Sequence, residues 1–452
     1  MTTSTLFLNA RVLGADSENV LVENGRIARR GAPADCEAVE VVDVAGNIML
    51  PGLVDLHTHL REPGFEQSET VLTGTQAAAA GGFTTVFAMA NTNPVADNAG
   101  VVEQVARLGE EAGYATVHPI GAVTEGLAGE RLADIGGMAA SRAHVRVFSD
   151  DGKCVHDSLL MRRALEYVAT FDGVLAQHAQ DPRLTVDAQM NEGEVSARLG
   201  LTGWPAVAEE SIIARDVLLA EYLGARLHIC HVSTRGSVEI VRAAKARGVC
   251  VTAEVTPHHL LLTEEFALGY DARFKVNPPL RTEEDVIALR RAVADGTIDI
   301  VATDHAPHPI DTKDCEWDSA AFGMVGLESA LPIVNKTLVQ TGMLDWSAVA
   351  RVLSSSPAEI GKASSAGSLG EGAVADLVIF DPHASRVWST SDLSGRSLNT
   401  PYAGIELPGR VIHTMRHGYF TFHDGNLRDE ALVAADAQKY GHLSSTQTVA
   451  KD

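Results

Sequence analysis

From residue 52 to about residue 360 the chain alternates apolar, β-rich runs with amphipathic helical stretches, and this alternation constrains its fold more than any other feature. The runs cover 52–59, 84–91, 115–122, 144–150, 174–179, 226–232, 249–255 and 298–304. Helical stretches between them include 68–80, 159–170, 209–223, 235–247 and 282–294. A strand, a helix and a return to a parallel neighbour make one βα unit, and eight units in about 300 residues suit a closed barrel better than an open sheet. The expected fold class is therefore α/β, a (β/α)8 TIM-type barrel over 52–362.

The flanks have a different texture. Residues 6–12, 20–22 and 26–28 read as short strands, and Asn24-Gly25 between the last two is a type I′ hairpin signal. Short strands return after residue 365, at 372–382, 410–412 and 416–422. Neither flank has enough strands to bury a core alone, so residues 1–51 and 363–434 are expected to build one small β domain together. Residues 435–452 read as a polar C-terminal tail.

Composition bears mainly on partners. In 452 residues, a hydrophobic share of 45% and a charged share of 21% describe an ordinary globular protein. The net charge of −23 argues against nucleic acid or an anionic membrane as a partner. Five scattered cysteines without a CxxC pair read as reduced thiols. The N-terminus lacks a basic region, and no apolar stretch approaches the roughly 18 residues of a membrane span, so a cytoplasmic location is expected.

Functional groups in such a barrel gather where strands end and βα loops begin. His57, His59 and Arg61 alternate along the first strand, which puts all three on one face. Two imidazoles so placed can share a divalent metal, and the guanidinium beyond them can grip a carboxylate. Later strand ends carry Asp150-Asp151, His178, His228 with His231, and Asp304 with His305 and His308. This donor set suits two divalent cations sharing one carboxylate. His228 and His231 differ by an odd number, so only one can face the site, and His231 is nearer the strand's C-terminal end. Asp150 and Asp151 likewise face opposite ways. His258 and His259 after Pro257 read as supporting residues, and hard oxygen and nitrogen donors make Cys154 and Cys230 poor ligand candidates.

On these blocks the chain resembles the bacterial type I dihydroorotases of the amidohydrolase superfamily over nearly its whole length. The motifs carrying the resemblance are PGLVDLHTHLRE (51–62), GGFTTVFAMANTNPVADN (81–98), 148–152, HICHVST (228–234), KVNPPLR (275–281) and TDHAPH (303–308). The resemblance implies two zinc ions per subunit with a bridging hydroxide: His57, His59 and Asp304 on one, His178 and His231 on the other, Asp151 between them. Many relatives use a carboxylated lysine as the bridge, but strand four contains none and Lys153 lies past the Gly152 turn. Asp304 is the expected proton carrier in reversible cyclic amide hydrolysis joining dihydroorotate and N-carbamoyl-aspartate, a step of de novo pyrimidine synthesis. Arg61 and Asn93 are expected to hold the substrate carboxylate. The family pattern adds His308 there and places Asn277 and the backbone of Phe322-Gly323 on the ring amide edge. It also implies a homodimer or higher homo-oligomer, with aspartate transcarbamoylase as a possible partner. Hydantoinase, dihydropyrimidinase or allantoinase activity is the alternative enzyme reading, and an inactive scaffold the non-enzyme one. The polar run 310–317 is expected to be a mobile loop over the substrate.

Overall fold

A computed structural model describes residues 4–443. Barrel strands one to three (Leu53–Thr58, Phe83–Ala88, Thr116–Pro119) pair in parallel. Strands four to eight (Val147–Phe148, Val174–Gln177, Leu227–Ile229, Val251–Val255, Ile300–Val301) do the same. Parallel bridges Gly121–Phe148 and Thr58–His305 join the two arcs and close the ring. Val54, Leu56, Phe87, Val147, Val174 and Ile300 share one buried cluster with Ala358 and Ile360, so the barrel is packed rather than hollow.

Local chemistry explains why the helices begin where they do. Asn98 caps Ala99–Ala112, Asp157 caps Ser158–Ala169, Thr234 caps Arg235–Ala246, and Thr282 closes a capping box on Glu283–Asp295. Each cap follows a strand end, so the polar βα turns that start the helices also line the functional face.

Both flanks enter one nine-stranded sheet. Ile48–Pro51 lies between Ser4–Val12, to which it pairs parallel, and Leu377–Val387, to which it pairs antiparallel. Positive φ at Asn24 (49°) and Gly25 (79°) forms the expected primed turn between Ser17–Glu23 and Arg26–Arg30. Phe7, Val22, Ile27, Met49, Leu377 and Met415 pack the sheet.

Two segments differ from the sequence reading. A polar tail was expected from residue 435, yet Glu430–Tyr440 is a helix capped by Asp429 that buries Val433, Ala437 and Tyr440. Their spacing of four and three places them on one stripe, too short to stand out beside the polar residues that follow. Residues 444–452 lie outside the described residues. The run 310–317 is irregular, as expected, but two of its residues anchor it. Lys313 Nζ is buried and donates to the carbonyls of Lys275 (3.1 Å), Ala321 (2.7 Å) and Gly323 (2.9 Å), and Trp317 packs with Met190 and Ala267. Among the described residues, no helix is long and apolar enough to cross a membrane.

Candidate metal centre and substrate pocket

Six side chains from five strand ends converge. His57 Nε2 lies 3.4 Å from Asp151 Oδ1 and 3.5 Å from Asp304 Oδ1. His59 Nε2 is 3.3 Å from Asp151 Oδ2 and 3.0 Å from Asp304 Oδ1. His178 Nδ1 and His231 Nε2 each sit 3.3 Å from Asp151 Oδ1 and 2.8 Å from one another. All six are buried. Asp151 thus touches all four histidines, whereas Asp150 turns away and accepts from Val123 N, Thr124 N and the Thr124 hydroxyl.

Hydrogen bonds on the far side of the rings set their tautomers. His57 Nδ1 lies 2.6 Å from Glu254 Oε1, His59 Nδ1 2.9 Å from Asn91 Oδ1, and His178 Nε2 2.8 Å from Gln180 Oε1. Each partner is an acceptor, so each of those ring nitrogens carries the proton and the opposite nitrogen turns a lone pair toward the centre. Three lone pairs and two carboxylates aimed at one buried volume leave a deficit of positive charge. His57 Nε2 is a buried nitrogen with no hydrogen-bond partner. A divalent cation satisfies this arrangement, and the residues fit one.

The electrostatics agree. Burial pushes the Asp151 carboxyl up, but His57, His178 and His231 pull it well below the usual range. Burial likewise raises Asp304, and the His57 charge with the His59 contact bring it down to about 2. Burial works against charge on His57, while Asp151, Glu254 and Asp304 hold its pKa well above the ordinary value, so a cation at Nε2 would take the place of a proton there. The site therefore keeps carboxylates ionised and attracts positive charge. Burial pushes the Cys154 thiol up to about 12 and Cys230 higher, which removes both as thiolate donors.

Of the pocket residues, Arg61 is placed as expected and carries an unusual feature. It is partly buried among the site residues, donates from Nε to Pro307 O (3.3 Å), and lies with Nη2 3.4 Å from His308 Nε2. Among the described residues no carboxylate lies within ion-pairing distance of it. Burial lowers its pKa to about 10, leaving it charged at neutral pH. His308 Nε2 also meets Phe322 O at 2.8 Å, and burial beside Arg61 and Lys313 lowers its pKa to about 3, so it is a neutral ring. Asn277 Nδ2 donates to Gln180 Oε1 (3.2 Å), and its Oδ1 is buried without a partner. Gly323, at φ 133°, spends its N–H on Lys275 O and its carbonyl on Lys313 and Asn399. Among the described residues the Phe322 N–H is left without a protein acceptor.

Asn93 is the exception. It is exposed, its backbone N–H bonds Pro63 O, and its side chain is not brought to the histidines. Asn91, two residues nearer the strand end, is the asparagine at the site, bridging His59 Nδ1 and the Asp151 carbonyl (3.4 Å). A turn separates the two, and the period of a strand does not carry through a turn.

Sequence reasoning also missed Glu254. Its Oε1 holds His57 Nδ1 and accepts from His231 N (3.2 Å), and its Oε2 meets His228 Nε2 at 3.0 Å. One carboxylate thus orients ligands from two strands and accounts for His228. A glutamate within the apolar run VTAEV was the available signal. His305 faces away, accepting from Gly326 N, and His259 bonds Thr256 and the carbonyls of Pro278 and Pro279. A separate group, His413, His423 and Asp424, lies on the small sheet. There the Asp424 N–H bonds His413 Nδ1 (3.2 Å), so its other ring nitrogen carries a proton and is not a free donor.

Known proteins bear on this geometry. A family model described as dihydro-orotase-like matches residues 46–237. A protein of Leifsonia xyli subsp. xyli named dihydroorotase is 66% identical, covering 94% of this chain and 98% of that protein. Dihydroorotases of Streptomyces coelicolor (63%, 94% and 99% covered) and Mycobacterium tuberculosis (51%, 94% and 100% covered) are similar along the same length. Among solved structures, an L-hydantoinase (dihydropyrimidinase) from Arthrobacter aurescens superposes with a TM-score of 0.84 at 23% identity, covering 95% of this chain and 98% of that one, which speaks for the fold. Barrel, converging ligands and full-length relatives lead to one assignment: the chain belongs to the dihydroorotase family.

Proposed function

We propose that this enzyme interconverts dihydroorotate and N-carbamoyl-aspartate by reversible cyclic amide hydrolysis, as a step of de novo pyrimidine synthesis in the cytoplasm. The observation that carries the reading is Arg61: a partly buried, charged guanidinium beside the His–Asp centre that, among the described residues, has no acid within ion-pairing distance. Burying an unpaired cation is costly, and a carboxylate-bearing substrate removes that cost when it binds. Hydantoins and dihydropyrimidines without a ring carboxylate leave the guanidinium unpaired, which separates this reading from the hydantoinase one.

His57, His59 and Asp304 would hold one divalent ion and His178 and His231 another, with Asp151 shared; the nitrogen and oxygen donors suit zinc. Such ions supply Lewis-acid polarisation of a carbonyl and a water acidic enough to attack near neutral pH. Asp304 supplies the proton transfer. Its Oδ1 rests on His59, while Oδ2 has no partner among the described residues and is available to take a proton from the attacking water and return it to the departing ring nitrogen. Arg61, with Asn91 and His308 beside it, positions the substrate carboxylate. Asn277 and the Phe322 N–H offer contacts to the ring amide edge.

The direct test is a spectrophotometric assay of the purified, metal-loaded protein with dihydroorotate, hydantoin and dihydrouracil. Turnover of dihydroorotate in clear preference to the other two is expected. Equal or better turnover of hydantoin would reject the reading.

A further inference from the structure

The opposite end of the barrel carries a second concave site. It is a cavity of about 370 Å³ bordered by the residues just before strand four, the start of strand three, the C-terminal turn of Ala99–Ala112 and the residues after Ser356–Gly361. Asp151 follows strand four, whereas Arg146 precedes it, so the cavity and the metal centre lie at opposite strand ends. The volume falls in the range of small-molecule sites.

Its lining is basic in a chain whose net charge is −23. Arg142, Arg146, Arg416 and Lys362 border it, and Glu110 is its one acidic residue. Lys362 is neutralised by Asp172, 2.6 Å away. The three arginines differ from it: among the described residues none has a carboxylate within 4.0 Å, and they run from exposed Arg142 through partly buried Arg146 to buried Arg416. Part of their role is structural. Arg146 Nη1 donates to Ala139 O (2.9 Å) and Val145 O (2.8 Å), and Arg416 to Gly113 O (2.9 Å) and Thr116 Oγ1 (3.1 Å). These bonds satisfy carbonyls at helix ends and explain one edge of each guanidinium. Among the described residues, Nη2 of both arginines and the whole Arg142 head group have no acceptor. His118 adds a ring stacked on Phe87 (4.9 Å between centroids, 27° between planes), and among the described residues neither of its nitrogens has a hydrogen-bond partner.

We propose that this basal cavity binds the phosphate group of a small phosphorylated metabolite between Arg142, Arg146 and Arg416. Guanidinium forks match phosphate oxygens two at a time, and donors without a carboxylate partner have no ion pair to break first. The Phe87–His118 stack and the hydroxyls of Ser364 and Ser365 border the space left for an organic body. Because the site lies away from the metal centre, the inference does not depend on the substrate assigned there.

Calorimetric titration of the metal-loaded protein at low ionic strength with inorganic phosphate, pyrophosphate and adenosine 5′-monophosphate tests this. Binding of at least one probe is expected, weakened about tenfold or more in Arg142→Gln and abolished in Arg142→Gln/Arg146→Gln, with dihydroorotate turnover of Arg142→Gln unchanged. Tighter binding of the nucleotide than of the inorganic anions identifies a phosphorylated metabolite as the ligand, and the reverse identifies free anion. No binding of any probe at millimolar concentration, or equal binding by wild type and Arg142→Gln, overturns the inference. Turnover read on the same samples keeps this outcome separate from the proposed activity.

Discussion

The two ends of this barrel are built from opposite charges. At the C-terminal strand ends, carboxylates and histidine lone pairs surround a volume that lacks positive charge. At the other end, arginines line a cavity with one acid among them. A (β/α)8 barrel is polar along its axis: helix N-termini and their unsatisfied N–H groups lie at the first end, helix carbonyls at the second. The arginines of the basal end answer those carbonyls, as Arg146 and Arg416 do. Arg61 also donates to a carbonyl, that of Pro307, but among the described residues no carboxylate lies within ion-pairing distance of it. The comparison teaches that a charge placed with the local field can be structural, whereas an unpaired charge beside a catalytic centre is there for a ligand.

The severest way to break this contrast is Asp304→Asn. Turnover of dihydroorotate should fall by about 10²–10⁴-fold with metal still bound, since the amide keeps a donor oxygen but cannot carry the proton. Activity close to wild type would remove Asp304 from the proton transfer. Metal analysis of the same sample reports whether the centre survived.

Glu254→Gln comes next. The carboxylate that orients His57 and His231 would become a neutral amide, and metal affinity should drop about 10–100-fold in a chelator competition. An unchanged affinity would show that packing alone orients the ligands.

Arg61→Met should raise KM for dihydroorotate by about one to two orders of magnitude, the worth of a charge-assisted pair, while leaving the metal content intact. Asn91→Ala should perturb KM and metal retention, and Asn93→Ala neither. The reverse pattern for the two asparagines would contradict the geometry.

The smallest effect concerns a carboxyl denied the cations that Asp151 and Asp304 enjoy. Burial raises Glu328 from the usual 4.5 to about 7. Its native form therefore holds a proton that the unfolded chain releases, so its contribution to stability is full below about pH 4.5 and is lost as pH rises through 7. Glu328→Gln has no proton to lose. It should flatten that slope and be more stable than wild type above pH 7 by ~1–3 kcal/mol, read from denaturant unfolding at pH 5 and pH 8. Equal slopes would place the ionisation elsewhere.

Much of the centre was legible because strands and their ends obey a simple period. Alternation put His57 and His59 on one face and allowed only one of Asp150 and Asp151 and one of His228 and His231 at the site; the family resemblance chose Asp151 and nearness to the strand end chose His231, and the structure brings these residues together. Legibility failed where that period stops. Asn91 and Asn93 sit beyond a strand in a turn, where spacing does not predict direction. Lys313 and Trp317 lie in a run whose composition reads as exposed loop, yet both are buried against distant segments. The helix Glu430–Tyr440 was hidden because one short stripe of three buried residues is a weak signal until a surface exists to receive it.

The sequence by itself determined the barrel, the ligand types and the presence of an arginine one step beyond the histidines, because hydrophobic periodicity and donor chemistry are local properties. Tertiary structure decided which asparagine meets His59, that Glu254 clamps His57 and His231 from across the barrel, and that Arg61 has no acid partner. Those are relations between segments tens to hundreds of residues apart. Pairing and burial come into being only when the chain closes, so no local pattern encodes them.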